Sequence, residues 1–251
     1  MRKKINKKNR KNTPYYIWGI HASLAAISNE NRIVEKVYCN ERNFETISSL
    51  KKDSKLEINV MKNNDLDMII KENISHQGII LEVKPLNYPN FEDILQSDEL
   101  LIVLDQITDP QNMGAIIRSM NFFGAKTIIT TKDHSAEING SLAKSASGSL
   151  ESVNIIEVTN LAMSLDKIRK NNFIIIGLDE NSKAYLENIK DYKDHKKALV
   201  LGSEGKGLRR LTKEKCDLLM SINNKNDINF TTLNVSVSSA VALYELTRKN
   251  I

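Results

Sequence analysis

The sequence predicts an α/β protein in two parts, a small mixed domain followed by a larger one built on a parallel sheet. Three observations carry that expectation. The second half holds short, continuously apolar runs instead of alternating ones, as strands buried on both faces require. Amphipathic stretches of helical period lie between those runs. A break containing Pro85, Asn87, Pro89 and Asn90 separates the halves, because proline disfavours continuing either kind of element.

Residues 1–13 form a basic tail, expected to be disordered. Residues 14–84 make the small domain. Its chain runs from a short strand near Tyr16 through a turn at Gly19 into a helix, then to a strand at 34–39, a helix at 44–52 and a strand at 58–61. A helix at 66–72 and a strand at 78–83 complete it. Residues 85–98 are the expected linker, and 99–251 the larger domain. Strands are expected there at 100–104, 127–130, 173–177, 198–201 and 218–222, with helices at 113–123, 161–170, 206–215 and 235–249. Gly124 is placed to end the first of those helices in the left-handed conformation.

The formal charge of +5 is unevenly spread. Residues 1–12 carry seven basic side chains and no acidic one, which leaves 29 basic against 31 acidic beyond them. The body is therefore close to neutral. Such a tail either solubilises or binds polyphosphate by counterion release. Cys39 and Cys216 stand far apart without CxxC or Cys/His spacing, which argues against a disulfide framework and a zinc site and for a reducing compartment. The tail and the apolar stretch 15–27 have the outline of a secretion signal. However, Gly19 and His21 interrupt that stretch, Glu30 follows, and no small-residue cleavage site is evident. No segment approaches the ~20 apolar residues of a membrane helix. The expectation is a cytoplasmic protein with no membrane and no metal partner.

Three segments carry chemistry. The first, 104–118, leaves an apolar strand, crosses a loop at Pro110 and enters a helix bearing Arg118. Asn112 either caps that helix or bonds a ligand or neighbouring loop. Gly114 allows close backbone approach and shares a helix face with Arg118. The second, Gly202-Ser203-Glu204-Gly205-Lys206-Gly207, fits neither the G-x-G-x-x-G dinucleotide fingerprint nor a phosphate loop, since Lys206 precedes Gly207 instead of Ser or Thr. It is either a tight turn or a backbone-lined pocket with one carboxylate. The third, 230–240, opens the last helix with Thr232 or Asn234 as cap, and its small residues suit close helix packing. The four histidines are scattered, with no Ser/His/Asp or metal-ligand spacing.

Taken in order, these segments resemble motifs one to three of the SpoU branch of the SPOUT superfamily, the RNA 2′-O-ribose methyltransferases. Gly19-Ile20-His21-Ala22 and His76-Gln77-Gly78-Ile79 resemble the signatures of the L30e-like RNA-binding domain that many members carry. The resemblance implies a deep trefoil knot in the parallel-sheet domain, against the usual rule. It also implies S-adenosyl-L-methionine as cofactor, held at Gly202, Ile222 and Leu233, and a homodimer whose active site is completed across the interface. The implied reaction displaces the sulfonium methyl in line by a ribose 2′-hydroxyl. Arg118 is central to it, with Asn112, Glu204 and Asn234 organising the site. A guanidinium is too weak an acid to serve well as a base, so Arg118 is expected to orient the hydroxyl and stabilise the alkoxide. The layout points to a guanosine of 23S ribosomal RNA. A transfer-RNA methyltransferase and a non-catalytic ribosome-assembly factor of the same fold are the alternatives. Residues 223–232 depart from the family pattern: its proline and glycine are missing, and Thr232 stands for the usual serine. A looser loop there predicts weaker cofactor affinity.

Overall fold

The structure, a computed structural model, describes residues 13–50, 56–70, 74–192, 194–224 and 232–248. The basic tail through Asn12 and the departing loop at 225–231 lie outside the described residues. In chain order the elements begin β1 (Tyr15–Trp18), α1 (Ile20–Ser28), β2 (Val34–Cys39), α2 (Glu41–Leu50), β3 (Ile58–Val60), α3 (Asn63–Ile70) and β4 (Ile79–Val83). They continue α4 (Phe91–Ser97), β5 (Leu100–Asp105), α5 (Pro110–Phe122), β6 (Thr127–Thr131), α6 (Gly140–Ala146) and β7 (Asn154–Val158). The last are α7 (Leu161–Lys170), β8 (Phe173–Leu178), β9 (Lys196–Gly202), α8 (Arg210–Lys215), β10 (Leu218–Met220) and α9 (Val235–Thr247). They fall into two compact units, one reaching Asn87 and taking in Ile138–Glu151, the other made of Tyr88–Glu137 and everything from Ser152.

In the first unit the sheet order is β1-β4-β2-β3, with β2 and β3 parallel and the other pairs antiparallel. Trp18, Leu66 and Ile80 form a core against Tyr16, Tyr38 and Ile69. Gly19, at φ 95°, turns β1 into α1 in a conformation that side chains resist. Helix α2 starts three residues before the expected position because Asn40 Oδ1 accepts from Asn43 N–H at 3.2 Å and caps it. Segment 138–151, expected in the larger domain, packs here instead. Gly140 lies under the Trp18 ring so closely that an added Cβ would fall 2.0 Å from it. Glu151 meets Arg32 in a buried pair, with side-chain exposures of 6% and 0%. Arg32 spends Nη2 and Nε on both carboxylate oxygens, and Nη1 on Tyr15 Oη and the Lys84 carbonyl.

The second unit holds six parallel strands in the order β10-β8-β9-β5-β6-β7. Strand β5 is buried from Leu101 onward, as a parallel sheet covered on both faces demands. Leu101, Val103, Ile129, Leu165, Ile175 and Val200 belong to its core. Ile94 and Leu95 of α4 join that core, so the stretch expected as linker contains a packed helix. Strand β7 and helices α4 and α6 were not among the expected elements.

Three boundaries differ for local reasons. Helix α5 starts at Pro110, capped by Asp109, whose side chain accepts from Gln111 N–H at 2.8 Å. Proline is preorganised for the first helical position, so Asn112 is not the cap but sits in the first turn. Helix α8 starts at Arg210 and not at 206, because Gly205 and Gly207, at φ 75° and 64°, hold the chain in a turn closed by Gly207 N–H on the Ser203 carbonyl. Strand β10 ends at Met220, leaving Ile222 beyond it. Gly124 is at φ 83°, as expected for a helix end. Both cysteines are free, and burial first, then Asp217, pushes the Cys216 thiol up to about 12. Among the described residues no helix is long and apolar enough to cross a membrane.

Breaking one side of the Arg32–Glu151 pair strands a buried charge. Glu151→Ala should cost about 3–5 kcal/mol in urea unfolding, and Arg32→Met combined with Glu151→Leu should restore most of it. Additive losses in the double variant would show that the pair is not the source.

Candidate active site

Strands β5 and β9 are neighbours in register, and their last residues, Asp105 and Gly202, face each other at the carboxyl edge of the sheet. Open α/β sheets collect their ligands at this edge. Gln106, directly after β5, holds φ 62°, which a non-glycine residue adopts only where its surroundings enforce it. From this edge leave α5, carrying Asn112 and Arg118, and the turn 203–207, carrying Glu204. The third motif arrives with Asn234 as N-cap of α9.

The carboxamide of Asn234 joins three of the four expected residues. Its Oδ1 accepts from Ser236 N–H at 2.8 Å and from Ser236 Oγ at 2.6 Å, which fixes the orientation of the amide. Its Nδ2 must then point the other way, donating to Asn112 Oδ1 at 3.1 Å and to Glu204 Oε1 at 2.5 Å. Asn112 is buried, with 9% of its surface exposed. Among the described residues, having spent Oδ1 on Asn234, it keeps its own NH2 for another partner, and Glu204 keeps its second oxygen.

Arg118 stands apart from this group. It is exposed and makes no hydrogen bond or ion pair among the described residues. Six residues along α5 from Asn112, it lies about 9 Å farther down the axis. Four residues on, the neighbouring Phe122 is 83% exposed. Of the residues expected at the cofactor, Gly202 ends β9, Ile222 follows β10 by two positions, and Leu233 precedes the α9 cap with half its surface exposed. At Gly202 an added Cβ would fall 2.2 Å from the carbonyl carbon of Gly207, so the turn closes on itself with no side chain between its limbs. Among the described residues no group of three His, Cys, Asp or Glu side chains could hold a metal ion.

One anchor escaped the sequence reading. Asp105 is fully buried; its Oδ2 accepts from Arg209 N–H at 3.0 Å and its Oδ1 from Arg209 Nε at 2.6 Å. This carboxylate ties the far end of the turn to the strand edge where the turn begins. An acid closing an otherwise apolar strand was the available signal, but its partner 104 residues away was not legible.

Residues 99–244 match the model of the SpoU rRNA Methylase family, and residues 16–89 that for RNA 2′-O ribose methyltransferase substrate binding. The chain is 35% identical over 241 residues to the 23S rRNA (guanosine-2′-O-)-methyltransferase RlmB of Coxiella burnetii, spanning 93% of this chain and 95% of that one. It is 31% identical over 225 residues to a putative TrmH family tRNA/rRNA methyltransferase of Staphylococcus aureus, spanning 87% and 88%. Among solved structures, the SpoU methyltransferase AviRb from Streptomyces viridochromogenes, in complex with AdoMet, superposes with a TM-score of 0.79. That likeness covers 98% of this chain and 93% of AviRb at 21% identity, and it bears on the fold.

Asp105→Ala removes two charge-assisted hydrogen bonds and should cost about 1.5–3 kcal/mol per bond at most. Amide exchange across 203–209 should accelerate more than in β5 itself, and uniform acceleration would argue against a local anchor.

Proposed function

The chain belongs to the SpoU rRNA methylase family, and from that premise we propose that it transfers the methyl group of S-adenosylmethionine to the ribose 2′-hydroxyl of a guanosine in 23S ribosomal RNA. The observation that carries this reading is the convergence of Asn112, Glu204 and Asn234, from three separate motifs, on one carboxamide. The near full-length identity to a 23S rRNA guanosine methyltransferase supplies the substrate class.

The residues present fit the cofactor. The glycine turn after β9 offers main-chain groups without an intervening side chain, and Glu204 is a carboxylate suited to face a sulfonium. Gly202, Ile222 and Leu233 would hold S-adenosylmethionine. When bound, it supplies an electrophilic methyl group. The ribose hydroxyl is a weak acid, so the protein must stabilise the negative charge that grows as its proton leaves. Arg118 does this: its guanidinium is exposed, planar and without a partner among the described residues, able to grip the 2′-oxygen and an adjacent phosphate together. Asn112 donates its remaining N–H groups to the substrate, and Asn234 keeps Asn112 and Glu204 in place.

The working form is a homodimer with the site completed across the interface. Val237, Val241 and Tyr244 recur on one exposed face of α9, Tyr244 lies 6.4 Å from the Phe123 ring, and Phe122 stands exposed beside Arg118. Water is a poor solvent for that face. The reading includes a trefoil knot in the C-terminal segment, supported by β10 standing at the sheet edge while Asn234, later in the chain, bonds Asn112 of α5 and Glu204 of the 203–207 turn. Ribosomal RNA as substrate places the enzyme in the cytoplasm.

Incubation with labelled cofactor and 23S fragments should yield a ribose methyl that blocks alkaline cleavage at one guanosine. Transfer only to transfer RNA, or cofactor-free binding without transfer, would replace this reading with its alternatives. Arg118→Ala should lower kcat roughly 100-fold or more, as loss of a charge-stabilising donor does. Arg118→Lys should recover little of it, and full activity there would exclude any need for the planar fork. Gly202→Ala should abolish cofactor binding by calorimetry, since the turn must open to admit a methyl group.

A further inference from the structure

A cavity of about 530 Å³ opens in the first compact unit, and none of its lining residues belongs to the candidate active site. Its size falls within the range of sites that enclose one small ligand. The start of α2 supplies Asn40, Arg42 and Asn43, the start of α3 supplies Asn63, and the turn before β4 supplies His76 and Gln77.

The walls are held rigidly. Gln77 and Gly78 both adopt positive φ, 58° and 77°, and strain at a non-glycine residue persists only where neighbours enforce it. Here Asn43 Nδ2 donates to the carbonyls of Gln77 and Gly78 at 3.1 and 3.2 Å. Asn40 Oδ1 accepts from Asn43 Nδ2 at 2.9 Å, and Asn40 Nδ2 donates to Asn63 Oδ1 at 3.1 Å. Gly78 N–H donates to His76 Nδ1 at 2.9 Å, which leaves the ring proton on Nε2, 3.1 Å from Asp67 Oδ1. A Cβ at position 78 would fall 2.2 Å from Asn40 Nδ2, so only glycine permits this frame.

The frame leaves a defined set of groups unspent among the described residues. Gln77 gives Oε1 to Ile20 N–H at 3.1 Å and keeps its NH2. Asn63 likewise keeps its NH2, and Asn43 keeps Oδ1. Arg42 is exposed and has no partner among the described residues. Ile20 and Ile74 add apolar wall. Side-chain amides match the donor and acceptor edges of an unpaired base, and a guanidinium matches a phosphate. Asp67 would repel a phosphate inside the cavity, which leaves the rim at Arg42 for the backbone. The stretch that builds the cavity lies wholly within the residues matching the substrate-binding model.

We propose that this cavity takes one nucleotide of the RNA, swung out of its stack, with its base edge on the amides of Asn43, Asn63 and Gln77 and its phosphate at Arg42. The proposal rests on the reading of the chain as an RNA methyltransferase and names where that RNA is recognised.

The test compares wild type with Arg42→Ala, Asn63→Asp and Gln77→Glu. The two acidic variants keep the oxygens that hold Asn40 and Ile20 and exchange only the free NH2 for a charged oxygen. Arg42→Ala removes an exposed side chain that makes no bond among the described residues. Each should raise KM for an rRNA fragment, and the Kd of the same fragment carrying fluorescein, roughly tenfold or more. Affinity for S-adenosylmethionine, measured by calorimetry, should hold. A scan of the fragment with single abasic positions should find one base whose removal weakens wild type but weakens Gln77→Glu no further. KM and Kd within roughly twofold of wild type in both Arg42→Ala and Gln77→Glu would overturn the proposal. Should wild type methylate no RNA, the enzymatic reading fails, while the fluorescein-RNA Kd still decides the cavity.

Discussion

The carboxamide of Asn234 has two donors and two acceptor positions, and every one of them is used within the second unit. Two bonds go to Ser236 and start α9. The other two reach Asn112 on α5 and Glu204 in the glycine turn. This single group therefore sets the direction of a helix and the spacing of two side chains from distant parts of the chain. No rotation of the amide preserves both halves, because a flipped group would set NH2 against the Ser236 N–H and oxygen against Glu204. The expected reaction needs such a joint: a weakly acidic hydroxyl responds only to groups whose positions are settled before the charge appears.

The joint works only if the turn carrying Glu204 is itself fixed. Glycines at 205 and 207 supply the positive φ angles that close the turn, but glycine adds freedom as readily as shape. Asp105 removes that freedom. Buried at the end of β5, it binds both the main chain and the side chain of Arg209, where the turn ends and α8 is about to begin. Arg209 is itself about half exposed, so the loss on removing Asp105 is of hydrogen bonds and not of a stranded internal charge. A similar economy appears in the first unit, where Asn43 and Asn40 hold Gln77 and Gly78 in a conformation that the backbone alone would leave.

What could be read from the sequence follows from the range of each interaction. Strand β5 was legible because burial on both faces leaves an unbroken apolar run, and Gly19 and Gly124 were legible because a turn and a helix end require positive φ locally. The sequence leaves Asn112 either as a cap or as a bond to a neighbouring loop; the structure gives the bond, to Asn234, while Asp109, immediately before a proline that favours the first helical position, takes the cap. Helix α6 and the packing of 138–151 on the first unit are not legible in the sequence, because the contacts that hold this segment, Trp18 on Gly140 and Arg32 on Glu151, span more than a hundred residues. Asn112, Glu204 and Asn234 were grouped only by the resemblance to a family, since no pattern of period or spacing connects 112 with 234.

Arg118 poses the remaining question of how a cation with no partner among the described residues can act on a reaction. A surface guanidinium in water is screened and free to rotate, and a charge of that kind stabilises little. Its surroundings argue for something else. Phe122, one turn along the same face, is exposed across most of its surface, and Val241 and Tyr244 continue an apolar face on α9. Covering that face with a second copy of the chain would strip water from around Arg118 and narrow its rotamers without touching the guanidinium. Its attraction to a developing alkoxide would then act through a medium far less polarisable than water. On this view the isolated chain is correctly folded yet catalytically incomplete, and dilution below the dimer dissociation constant should lower kcat while leaving the Asn112–Asn234–Glu204 joint intact.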